Sequence, residues 1–352
     1  MLQLSQNTLE FSFPAVRDGV RLKVTLQRTL RIPDDGKTYP LPPGLGVFPA
    51  RKVDDFKDKV PASWVEHGGI FVPLYQSEAL WISFRPSYIV DRSTYPFAVK
   101  VTTGKVSAVT GEVYMDGLQA GDYLTVPPQP WLDGYYAKKG TIKQFVAAPL
   151  GGGFTAEEQI TGKDEFGGIQ LEVFPMKVDD FNKKFPERVE YALNSGSVKR
   201  STRGITGQSA GSFKRLNISN SIQDMGLAAG GSMKQEIYKD PHELNSWDTE
   251  HGERLFIHLV NSMVWRQITG EEPPSSPRTA AEYTNYGLSW FDYYSEAPAL
   301  EGSKKLDELQ TMKEVGEKKG VPVLPENQTV EVPDKQTVHL GTSKTTVRDG
   351  KW

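Results

Sequence analysis

The chain has no cysteine in its 352 residues, which excludes disulfides, thiolate catalysis, iron–sulfur clusters and cysteine-ligated zinc. Histidine is scarce, with five copies. His242, His251 and His258 form the one histidine-bearing cluster, and none of their separations matches the i, i+2 or i, i+3/i+4 spacing of a ligand pair. No stretch approaches the roughly 20 apolar residues that a membrane span needs. The opening MLQLSQNTLEFSF lacks the basic and apolar regions of a signal peptide. A formal net charge of −3 leaves no basic footprint for nucleic acid. These absences lead to the expectation of a soluble cytoplasmic protein with no nucleic-acid partner, no membrane span and no cofactor. In that compartment the sequons at Asn217 and Asn327 carry no glycan.

What is present is glycine and proline, 33 and 24 residues, which cut the chain into short elements. Alternating segments suggest strands within 8–31, then at Ile70–Tyr75, Leu80–Phe84, Ala98–Thr103, Lys105–Tyr114, Tyr123–Val126, Thr141–Ala147 and Gln170–Phe174. The predicted fold is α+β and mainly β. It has a sandwich- or barrel-like β domain over 1–195, a Ser/Gly/basic linker or long loop over 196–222, a mixed region over 223–320, and an extended β tail over 321–352. In the mixed region we expect strands at Met233–Tyr238 and Arg254–Leu259 and a short helix from Asn261 to about Thr269. A capping box at Thr279 and Glu282 opens another, and a helix over Lys304–Lys319 makes a spacer about 24 Å long. Its stripe Leu306, Leu309, Met312 and Val315 faces a core. The pentapeptide KVDDF occurs twice, at 52–56 and 177–181, each time preceded by Phe-Pro, which hints at a duplicated unit.

Three groups of residues could carry chemistry. Gly207-Gln208-Ser209-Ala210-Gly211 matches a nucleophile elbow, but its flanks are neither a buried strand nor a packed helix. Asp240, His242, Asp248 and His251 could offer oxygen and nitrogen ligands to a metal, although Asx-turn capping explains the two aspartates as well. His258, inside the apolar run LFIHLV, reads as a core histidine. The glycines of 226–231 read as sites of close backbone packing, since the run lacks the lysine of a phosphate loop. Trp247, Tyr283, Tyr286, Trp290, Phe291, Tyr293 and Tyr294 could stack on a sugar ring or on a protein partner.

The stretches PPQPWLDG (127–134), QFVAAPLGGGFTAEEQITG (144–162), MGLAAGGSMKQEIYKDPHELNSWD (225–248), FIHLVNS (256–262) and GLSWFDYY (287–294) resemble a family of uncharacterised microbial proteins with no assigned activity. The resemblance implies one architecture over most of the chain and brings no catalytic residue with it. The leading expectation is a non-catalytic protein acting by binding or by homo-oligomeric assembly, its partner another copy of itself, a protein or a carbohydrate. The rival is an enzyme or ligand-binding protein with a site in 240–258, with or without a metal, and a serine hydrolase at Ser209 is the weaker third.

Overall fold

The strand Asp224–Lys234 is the seam of the molecule. In the computed structural model, which describes residues 1–187, 224–321 and 328–341, seventeen strands form one mostly antiparallel sheet with this strand near its middle. On one side run, in order, Thr141–Pro149, Ala79–Pro86, Arg21–Thr29, Thr8–Ser12 and Leu2–Ser5, all antiparallel. On the other, Asp224 and Met225 pair with Val260 and Leu259 of the strand Glu253–Asn261. That strand continues to Ile169–Pro175, Phe97–Thr103 and Leu124–Val126. It also pairs in parallel with Ile70–Leu74. The fold is therefore mainly β within the α+β class, as the alternation predicts.

Strand residues from both arms meet in one apolar cluster, including Val24, Ile82, Val99, Leu171, Leu227 and Ile257. Strands on either side of 188–223 share this core and this sheet. Residues 224–320 thus contribute to the same sheet and core as residues 1–187. The expected linker at 196–222, with Ser209 and its elbow motif, lies outside the described residues.

The glycine run 226–231 belongs to the seam strand, which begins nine residues before the strand expected at Met233–Tyr238. Small side chains hide it from any alternation test, and packing requires them. A Cβ on Gly231 would sit 2.2 Å from the carbonyl oxygen of Pro33, and one on Gly230 would sit 2.6 Å from Val146 Cγ2. The strand expected over Lys105–Tyr114 shrinks to Val106–Ser107. Gly104 and Lys105, at φ +53° and +59°, make a two-residue hairpin turn there, and the chain leaves the sheet beyond it.

The helix expected over Lys304–Lys319 is two helices, Lys304–Asp307 and Met312–Lys318. Lys143 Nζ donates to the carbonyls of Asp307 and Leu309, both at 2.7 Å, which occupies acceptors that a continuous helix would use. Thr311 and Glu314 then form a capping box that starts the second helix, and Asp34 accepts from the Lys313 amide. All four stripe residues are buried, as expected, but there is no 24 Å spacer. The capping box at Thr279 and Glu282 opens the helix Ala280–Asn285 as predicted, and the helix Ser262–Thr269 ends at left-handed Gly270.

In the tail, Thr337–Gly341 pairs in parallel with Trp290–Tyr294 of the same chain. The extended β tail thus finds a partner strand within its own chain. The rest of the tail, 322–327 and 342–352, lies outside the described residues. The two KVDDF copies share a local conformation. Lys52 and Lys177 are extended (ψ 137° and 139°), and a helical turn begins at Val53 and Val178.

Gly231→Ala should lower stability by about 1–3 kcal/mol, because its contact is with backbone that cannot rotate away. Gly230→Ala should cost less, since Val146 can turn aside. Urea denaturation of both variants checks this, and equal midpoints for Gly231→Ala and wild type would contradict the close packing at the seam.

Candidate functional site

Three adjacent strands, Phe97–Thr103, Ile169–Pro175 and Glu253–Asn261, send Leu171, Val173, Leu255 and Ile257 inward to the core. Strand alternation therefore sends their neighbours to the opposite face. The register aligns Lys100, Glu172 and Arg254 in one row and Thr102, Gln170 and Phe256 in the next. A row of charges on one face of a sheet must be covered, paired or solvated, and here all three happen.

Lys100 is covered, at 2% exposure. Its ammonium donates to the carbonyls of Met115 (2.6 Å) and Gly117 (2.8 Å) and pairs with Asp122 (2.8 Å), so its three donors are matched. These bonds hold the 114–122 segment over the sheet and set the Tyr114 ring 4.8 Å from Nζ. The Tyr114 hydroxyl then lies 2.7 Å from Glu172 Oε1 and 2.9 Å from Asp116 Oδ1. Arg254 binds the same two carboxylates, Nε to Glu172 and Nη2 to Asp116 at 3.1 Å. Burial, and then the hydrogen bond to Glu172, push the Tyr114 hydroxyl well above its ordinary pKa, which keeps it a donor.

This network forms one side of an open groove with a cavity of about 380 Å³. The opposite side is aromatic. His67 stacks on Phe256 at 4.8 Å and 18°, and Trp64, one turn before His67 in the helix Ala62–His67, stacks on His258 at 4.6 Å and 19°. Phe256 and His258 lie against each other at 4.4 Å. Lys105, at the hairpin tip, holds its ammonium 4.2 Å from the Phe166 ring centroid. Glu157 fixes Phe166 there, its carboxylate accepting the amides of Glu165, Phe166 and Gly167 at 2.7–3.0 Å. Among the described residues Lys105 has no carboxylate at ion-pair distance.

The residues singled out from sequence are distributed differently. Trp247 is buried and its indole donates to Asp240 Oδ2 (3.0 Å) and Tyr123 (3.2 Å). Asp240 also accepts the His242 amide, and Asp248 accepts those of Glu250 and His251, so both aspartates cap turns as the Asx reading holds. His251 Nδ1 lies 2.8 Å from Asp248 Oδ2, while His242 packs edge-on against Trp247 and Phe185. Asp240, His242, Asp248 and His251 are thus not brought together as a ligand set, and no group of three or more such side chains among the described residues is arranged to hold a metal. Trp290 is buried with its indole on Thr284, against Tyr39 and Tyr283. The Tyr283 hydroxyl donates to the Ser289 carbonyl, and Tyr286 stands 78% exposed. Phe291 and Tyr293 lie beside Trp131, at a second cavity. The groove residues Lys105, Tyr114, Asp116 and Glu172 escaped the sequence reading because a hairpin turn, the tether of the 114–122 segment to Lys100 and strand register, not spacing, gather them.

No protein-family model, curated protein or solved structure matches the chain.

His258 confirms its reading as a core histidine. Its Nε2 lies 3.0 Å from the Gly68 carbonyl, and burial holds the ring neutral, with its pKa pushed down to about 3 from 6.5. A base whose folded pKa is depressed contributes stability that is whole above pH 6.5 and is lost as pH falls toward 3. Against His258→Gln, the wild type should lose about 1.4 kcal/mol per pH unit between 6 and 4. The difference cancels other titrations, including that of nearby Asp224. Parallel free-energy curves for the two proteins across that range would refute the buried neutral ring.

Proposed function

We propose that the protein works by binding rather than by catalysis, in the cytoplasm, and that the groove between Tyr114 and Phe256 seats a small hydroxyl-rich ligand of saccharide type. The observation that carries this reading is the closed network of Tyr114, Asp116, Glu172 and Arg254 facing an aromatic wall. Such a wall suits the C–H face of a sugar ring. The network interleaves donors and acceptors at the spacing of neighbouring hydroxyls. Glu172 Oε2 is buried and makes no hydrogen bond among the described residues, so the carboxylate presents its bonded Oε1 edge to the network. Two carboxylates, Asp116 and Glu172, face two cations, Arg254 and Lys105, so the groove favours neither an anion nor a cation.

A binding role also fits what the lining lacks. The groove residues include no serine, threonine or cysteine to act as a nucleophile. The Tyr114 hydroxyl is held protonated, and both carboxylates are tied to Arg254.

Screening the full chain on a saccharide array, followed by calorimetric titration of the retained sugars, tests this. Arg254→Ala and Lys105→Met should each weaken binding by about tenfold to a hundredfold, the value of one hydrogen bond from a charged group. A folded wild type that retains no saccharide, or variants that bind as the wild type does, would remove the proposal.

A further inference from the structure

A second cavity, of about 180 Å³, is lined by none of the groove residues. It lies between the loop 41–44, the strand Ala79–Pro86 and the ribbon of Trp290–Tyr294 with Thr337–Gly341. Its walls are Trp81, Trp131 and Phe291, with Pro42, Pro43 and Leu340 closing the edges. The Trp81 and Trp131 rings meet at 6.2 Å and 67°, forming a corner, and Tyr293 supports Trp131 from behind at 4.9 Å and 65°. Phe291 is fixed by reciprocal backbone hydrogen bonds with Leu41, at 2.9 and 2.7 Å.

Within these walls lies one ionisable residue, Asp133, 3% exposed. Its Oδ2 accepts from Gln235 Nε2 at 2.7 Å, and the Trp131 indole N–H acts on the carboxyl in the same sense from nearby. Both donors are neutral. Among the described residues no Lys, Arg or His forms an ion pair with it. Burial pushes its carboxyl up to about 7, so above neutrality the site holds a charge that no cation among the described residues balances.

A cation entering the cavity would balance it, and the chemistry of the walls selects which kind. A metal ion needs several oxygen ligands, and the lining offers one carboxylate. Aromatic faces attract organic cations that carry their own apolar shell, which loses little by leaving water. We propose that this cavity is a binding site for a small alkylated ammonium group, held between Trp81, Trp131 and Phe291 with Asp133 as its counter-charge.

Choline and its uncharged isostere 3,3-dimethyl-1-butanol are the probes, titrated into the full chain by calorimetry with tryptophan fluorescence alongside. At pH 8 choline should bind at least about tenfold more tightly than the isostere. Its affinity should fall as pH drops below 7, because protonated Asp133 no longer attracts a cation, while that of the isostere stays level. Asp133→Asn should abolish the preference, and Trp131→Leu should weaken both probes. Lys105→Met should change neither, which separates this site from the groove. Equal binding of the two probes, no binding of choline at millimolar concentration, or a choline affinity unchanged between pH 8 and 5.5 would overturn the proposal. These wild-type readouts decide it even where the Asp133 variant fails to fold.

Discussion

The strand Asp224–Lys234 occupies its place because, apart from the core residue Leu227, residues 226–232 carry almost no side chain. Strands lie about 4.8 Å apart, and faces in contact need room for whatever projects between them. Here Pro33 lies on one part of the strand and Val146 on another, at distances that no Cβ could share. Both arms hang from this strand. Eight of its residues pair with Thr141–Pro149, and its first two pair with Val260 and Leu259. A bulkier strand would separate the arms and leave the apolar cluster between them open, which is why the conformational entropy cost of so many glycines is tolerated.

Once the seam sets the arms, the far face of the 97–103, 169–175 and 253–261 strands has no apolar cover. In its two central rows every residue but Phe256 is charged or polar. Lys100 settles part of that face by drawing the carbonyls of Met115 and Gly117 and the carboxylate of Asp122 onto itself. An uncompensated ammonium at this depth would cost several kcal/mol, so the 114–122 segment is held in place by that penalty as much as by attraction. The groove is what remains uncovered. His67 and Phe256 line it too, stacked on each other and backed by the buried rings of Trp64 and His258.

Much of this architecture was legible in the sequence, and the failures share a cause. Segments whose large residues alternate, such as Arg21–Thr29 and Ile169–Pro175, were found close to their true bounds. So were the Thr279 capping box and the core histidine at His258, because each depends on chemistry within a few residues. The seam strand was missed because glycine and alanine give no alternation to read. The helix at 304–319 was overextended because what breaks it, Lys143 and Asp34, lies more than 150 residues away. The aromatic run at 283–294 looked like one surface and divides into a buried Trp290, an exposed Tyr286, and a Phe291 that lines a cavity. The groove could not be read at all, since Lys100, Glu172 and Arg254 become neighbours only through register. The KVDDF echo shows the same limit from the other side. Identical residues start a 3₁₀ turn at Val53 and an α-helix at Val178, and Phe56 packs on Phe71 while Phe181 packs on Tyr95 and Phe185.

The two cavities differ in how their charge is managed, and this makes them respond to different chemistry. In the groove each carboxylate already has Arg254 and Tyr114, so a ligand gains by exchanging hydrogen bonds with water rather than by neutralising anything. Its selectivity must then come from geometry, from the match of hydroxyls to a fixed pattern of donors and acceptors over a ring face. In the second cavity the carboxyl of Asp133 has, among the described residues, neutral partners alone, and the walls offer surface and polarisability but few hydrogen bonds. A neutral ligand there gains only its apolar burial, whereas a cation also gains the interaction that the protein leaves unmade. The groove is insensitive to ligand charge, and the cavity depends on it.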